Sequence, residues 1–150
     1  VTVLVGVIGL AFALNLILRP RPDAPPRPAR VVPGLFWGAV SGFTSFVSHS
    51  GAPPYQVYTL PLRMSKTVFA GTATIAFSVI NAAKLVPYWA LGQLTLTSLN
   101  VALLLMPIAA VAVFAGVQLV KVLPEKLFFQ LIRWALLLVS IKLIYDGLSG

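Results

Sequence analysis

Hydrophobic positions in this chain fall in long runs, and polar positions fall in short breaks between them. Residues 1–18 contain no charge and approach the lower limit of the roughly 17–25 residues that a helix needs to cross a hydrocarbon core. Residues 67–90, 96–120 and 127–147 form three further runs of spanning length. Residues 19–33 read RPRPDAPPRPARVVP, and these prolines predict an extended linker. Residues 34–62 are apolar but break at Gly51-Ala52-Pro53-Pro54, where two successive prolines stop the arriving helix and can open a new one. The predicted fold is an all-α integral membrane protein with about four transmembrane helices plus a broken re-entrant helical hairpin.

The positions of the charges favour the re-entrant arrangement. Arg19, Arg21, Arg27 and Arg30 precede the broken segment, and Arg63 and Lys66 follow it. If basic loops stay cytoplasmic, both ends lie on that side. The arms, of about 17 and 8 residues, would bring the tip near mid-membrane at 1.5 Å per residue. The uncharged turn Leu91-Gly92-Gln93-Leu94 is then external, and Lys121, Glu125 and Lys126 are internal. A single crossing at residues 34–62 scatters the basic loops over both sides.

Composition narrows the class further. Hydrophobic residues make up 59% and charged residues 9% of the chain, with mean hydropathy +0.95. A soluble domain has about 25% charged residues. Most of the net charge of +8 resides in short loops, which fits anchoring at a membrane and predicts no nucleic-acid partner. Without cysteine, disulfides, zinc–thiolate sites and thiol catalysis are excluded. The three acids sit in loops or at span ends, no metal-ligand spacing is present, and general acid–base catalysis lacks material. Neither an enzyme nor a cofactor is expected. The valine start, with no basic segment before its apolar run, is not a secretory signal and predicts a chain beginning partway through a longer protein or at a non-standard start.

Polar residues converge at SGFTSFVSHSGAPPY, residues 41–55. Irregular backbone at membrane depth persists only where protein covers it or where it lines a wet cavity. Amides from Tyr55 onward are expected to lack helical partners and to carry the positive end of a helix dipole. This makes Ser48, His49, Ser50, Gly51, Pro53, Pro54 and Tyr55 a candidate anion-binding group. The alternative is a proline-kinked helix whose serines bond back to their own carbonyls. His49 reads as a hydrogen-bond partner of substrate or structure rather than a proton carrier.

Lys84 follows about 17 uncharged helical residues, roughly 25 Å of rise. One reading is a snorkelling lysine beside the interfacial pair Tyr88-Trp89. The other places Thr74, Ser78, Asn81, Lys84 and Tyr88 on one polar stripe lining an anion path. Asn81 and Lys84 therefore join the candidate substrate-binding set. Gly38, Gly42 and Gly71 are expected to mediate close helix packing. Arg133 and a Lys142–Asp146 pair read as structural.

The run SHSGAPPYQVYTLPLR (48–63), the pair Gly71-Thr72, and NAAKLVPYWALGQL (81–94) together resemble the second half of the TauE/SafE family of sulfite and organosulfonate exporters. The resemblance covers roughly residues 34–148. It implies a multi-pass protein of a bacterial inner membrane that moves sulfite, organosulfonate or similar sulfur-containing or carboxylate anions by secondary transport. It also implies that residues 1–18 close a first half whose own motif is absent, so the partners expected are a missing N-terminal half or another copy, together with the lipid bilayer. Residues 34–150 would be the second repeat. LNLILR at 14–19 echoes SIKLIY at 140–145, and an odd number of crossings per repeat would invert the two halves. Where relatives have a run of glycines, this chain has His-Ser-Gly-Ala-Pro-Pro, the mark of a subgroup with its own substrate. A non-transporting membrane scaffold is the alternative function.

Overall fold

A computed structural model describes the whole chain, Val1–Gly150. It is all-helical: α1 (Thr2–Leu18), α2 (Val31–Ser48), α3 (Ala52–Thr59), a short 3-10 turn at Leu60–Leu62, α4 (Lys66–Ala90), α5 (Leu96–Val122) and α6 (Glu125–Ser149). Four of these, α2, α4, α5 and α6, are long and apolar enough to cross a membrane. α1, the helix that the sequence predicts over residues 1–18, has 17 residues and is the shorter apolar helix. α2 gains length because Val31, Val32 and Pro33 join its first turn, where an amide has no helical partner and proline is tolerated. At the other end, Pro124 separates α5 from α6 by disfavouring helix at the residue before it.

The chain divides into two compact units, residues 1–65 with 126–150, and residues 66–125. In the first, α1 runs antiparallel to α6. Val3 lies beside Gly147, Gly6 beside Ile144, and Gly9 beside Ser140. Small residues make this seam. A β-carbon on Gly6 would stand 2.8 Å from Ile144 Cγ1, and one on Gly9 would overlap the Ser140 hydroxyl and lie 3.1 Å from Pro53 Cβ. Removing the side chain lets backbones approach where lipid supplies no hydrophobic drive between helices. Val5, Gly6, Gly9 and Ala13 of α1 are buried, as are Leu136, Ser140 and Leu143 of α6.

α3 doubles back along α2. The Tyr58 hydroxyl donates to the Arg30 carbonyl at 2.9 Å and accepts from the Arg30 amide at 3.2 Å. The Arg27 amide donates to the Pro61 carbonyl at 3.0 Å. The entry and exit of the broken segment therefore lie side by side, the geometry expected of a hairpin that enters and leaves by one face.

The second unit is the α4–α5 hairpin. Gly92 takes φ +69° in its turn, and its amide and that of Gln93 return to the carbonyls of Trp89 and Tyr88. Thr95 and Ser98 then form a reciprocal capping box that opens α5. At the other end the Lys66 ammonium donates to the Lys121 and Leu123 carbonyls, satisfying orphan acceptors where α5 ends.

Candidate functional site

The helix break is built by three local devices. α2 ends at His49, which adopts a left-handed conformation (φ 54°), one that histidine visits more readily than branched residues do. The amides of His49 and Ser50 both turn back to the Thr44 carbonyl, which also accepts the Ser48 hydroxyl at 3.1 Å. The Ser41 hydroxyl, fully buried, then donates to the Gly51 carbonyl at 2.6 Å and clamps the break onto α2. α3 opens with Gly51 as its cap, Ala52 first, and Pro53 and Pro54 in the next two positions.

This start changes which amides are available. The Tyr55 amide, expected to be free, donates to the Gly51 carbonyl at 3.3 Å. The helix begins at Ala52, one residue before its proline pair, so Tyr55 is already inside the hydrogen-bonded ladder. Pro53 and Pro54 have no amide hydrogen. The donors left at the positive end of α3 are those of Gly51 and Ala52.

The hydroxyls behave differently from a ring of free donors. Ser48 donates to Thr44, Ser50 to the Ser48 carbonyl at 2.8 Å, Thr44 to the Val40 carbonyl at 2.9 Å, and Thr59 to the Tyr55 carbonyl at 2.8 Å. Each keeps lone pairs but spends its proton on the backbone, as the back-bonding alternative predicts. His49 is exposed at the tip, and its side chain makes no hydrogen bond. Pro53 and Pro54 are buried. A cavity of about 160 Å³ beside the break is lined by apolar groups of α1 and α2 with Pro54, and it offers no polar wall to an anion.

Two groups near the break escaped the sequence reading. Ser140 of α6 is 0% exposed, and its hydroxyl oxygen has no hydrogen-bond partner where it meets Gly9, which also lies against Pro53. The Gln56 side-chain oxygen, four residues past Ala52, is likewise buried and unpartnered. A serine amid leucines and a glutamine in an apolar arm are the only signals that pointed to them.

In the second unit the expected polar stripe divides. Lys84 is 8% exposed, while Thr74, Ser78 and Asn81 are exposed, and Thr74 donates to its own helix at the Ala70 carbonyl. At about 100° per residue, Lys84 lies in line with Ala73 and Phe77 on the less exposed face of α4, with half-buried Ile80 about 40° to one side and exposed Asn81 about 60° to the other. Tyr88, one turn beyond Lys84, is half-buried. Lys84 is the one charged side chain that is buried, and it forms no ion pair. The chain's ion pair is Lys142–Asp146, as the spacing predicts. Gly38 and Gly71, expected at packing contacts, have open space where a β-carbon would sit. The close contacts fall instead on Gly6, Gly9 and Gly147.

The family model described as sulfite exporter TauE/SafE matches residues 1–143, and so takes in α1 and the proline-rich linker as well as the hairpin. No curated protein and no solved structure matches the chain significantly. The all-helical apolar architecture and a match over nearly the whole length lead to one conclusion: the chain is a multi-pass membrane protein that belongs to the sulfite exporter TauE/SafE family, whose members are transporters and not enzymes.

Proposed function

We propose that this chain moves small sulfur-containing or carboxylate anions, sulfite and organosulfonates foremost, by secondary transport. The observation that carries this reading is Lys84. A buried ammonium without a carboxylate partner is costly to hold, and a transported anion would supply the missing charge. A snorkelling lysine would keep its side chain largely exposed. Asn81 is retained as an amide donor for the same anion, its exposed position suiting contact with a mobile ligand. At the hairpin tip the Gly51 and Ala52 amides supply a second donor group, with Ser48, His49 and Ser50 around them and Pro53, Pro54 and Tyr55 fixing the turn. We further propose that the chain works as one half of an inverted pair, joined to a first half or to another copy. The antiparallel run of α1 against α6 supports this, because the last helices of two inverted halves would meet in that way.

The test is anion uptake into vesicles, paired with a thermal melt of each variant. A charge-assisted bond in a dry site is worth about 1.5–3 kcal/mol, so Lys84→Met is expected to weaken uptake or affinity by roughly tenfold or more with little loss of folded protein. Lys84→Arg is expected to restore it only in part, because a planar fork differs from a compact ammonium. Wild-type uptake in Lys84→Met at normal expression would remove Lys84 from the site. Loss of stability without loss of affinity in Lys84→Gln would mark Lys84 as a snorkelling, structural lysine instead.

A further inference from the structure

The proline-rich segment between α1 and α2 is not a loose tether. Its backbone is fastened to the mouth of the hairpin. The Arg63 guanidinium donates from one nitrogen to the Pro22 carbonyl at 2.6 Å and from another to the Arg21 carbonyl. The Arg27 amide holds the Pro61 carbonyl, and Tyr58 holds both backbone groups of Arg30. Arg63 itself adopts a left-handed conformation (φ 53°) as the chain leaves the 3-10 turn. These bonds gather the end of α1, the start of α2 and the end of α3 at one end of the first unit.

The fastening leaves four arginine side chains unused. Arg19, Arg21, Arg27 and Arg30 are exposed, and none forms a side-chain hydrogen bond or ion pair. The one acid among them, Asp23, is exposed and also unpaired. Flanking these arginines in sequence are exposed apolar side chains: Leu18 at 73%, Val31 at 76% and Val32 at 78%, with Leu35 and Phe36 one turn on. A row of guanidinium groups beside an apolar lip has the chemistry of the boundary between phosphate headgroups and acyl chains. Guanidinium forks match phosphate oxygens in pairs and give up hydration more readily than ammonium groups do. Fixing the backbone beforehand lowers the ordering cost of binding.

We propose that Arg19, Arg21, Arg27 and Arg30 form a binding site for the phosphodiester headgroups of anionic phospholipids, with Arg63 as the strut that holds the segment in place. The site is separate from the anion donors at the hairpin tip. The full chain is purified in detergent micelles, and bound lipid is counted by native mass spectrometry after adding equal amounts of phosphatidylglycerol and phosphatidylcholine with matched acyl chains. The expected result is a preference for phosphatidylglycerol of roughly tenfold or more, falling as salt rises. The combined variant Arg19→Gln, Arg21→Gln, Arg27→Gln and Arg30→Gln is expected to bind the two lipids within about twofold of each other. If that variant is poorly folded, the pair Arg19→Gln and Arg27→Gln is measured beside Lys126→Gln, and only the former is expected to lose preference. A wild-type chain that binds both lipids equally would overturn the proposal. So would a preference that survives the arginine substitutions, or one abolished by inorganic phosphate or sulfite at matched ionic strength, which would mark a site for free anions.

Discussion

Ala52 shows how much can depend on a single backbone donor. It stands between a capping glycine and two prolines, so its amide and that of Gly51 are the donors remaining at the start of α3. Ala52→Pro would delete one of them at a position where proline is tolerated. A hydrogen bond to a charged group is worth about 1.5–3 kcal/mol, so anion affinity or uptake is expected to fall about tenfold, while Ala52→Ser, which keeps the amide, stays near wild type. Uptake in vesicles checks this, and equal behaviour of the two variants would take the α3 amides out of the site. The serines beside Ala52 were legible in the sequence as a cluster, but not in their roles. Their hydroxyl protons are held by backbone carbonyls, and only coordinates show which carbonyl each one meets.

Among elements, the α1–α6 seam carries the break on its surface. Gly9 touches both Ser140 and Pro53, so a side chain at Gly9 must push on α6 and α3 together. Gly9→Leu overpacks a backbone contact, and a loss of about 1–3 kcal/mol is expected. Ser140→Ala is expected to act in the opposite direction. It removes a buried hydroxyl that has no partner, and stability should hold or rise by about 1 kcal/mol. Thermal melts of both variants in one detergent check the pair. A marked loss in Ser140→Ala would mean that its hydroxyl is hydrogen-bonded in the working protein. Gly38 and Gly71, singled out for packing from the sequence, stand in open space while Gly9 makes the close contact, because a pattern within one helix does not say which neighbour meets it.

For the whole molecule the first question is sidedness. Basic loops at residues 19–30, 63–66 and 121–126 are expected in the cytoplasm, and Gly92 outside. Cysteines placed at Arg27, Ser65 and Gln93 are expected to label from outside only at position 93. Labelling at 65 and not at 93 would sink the re-entrant arrangement. The second question is assembly. α5 has no buried residue, and the broken helix keeps two free amides. Unsatisfied backbone groups in hydrocarbon cost several kcal/mol each, so the chain is expected to pair with a complementary half or with itself. Mass photometry in lipid nanodiscs reads this directly, and a stable lone copy would count against pairing.

The sequence by itself determined the class of this protein, because long apolar runs with most charges in short loops between them have one stable solvent, the bilayer. It also placed the helix break, since Pro53-Pro54 cannot continue a helix, and it paired Lys142 with Asp146 through one-turn spacing. Its ordered motifs were enough to suggest the family. The tertiary structure alone decided what surrounds each group. It placed α1 against α6, buried Lys84 and left Asn81 exposed, moved the free amides from Tyr55 to Gly51 and Ala52, and fastened the arginine linker to the hairpin mouth. Local sequence controls where a helix starts and stops through dihedral limits and missing donors. Which side chain lies opposite which is settled by packing between segments far apart in the chain, where spacing along one helix holds no information.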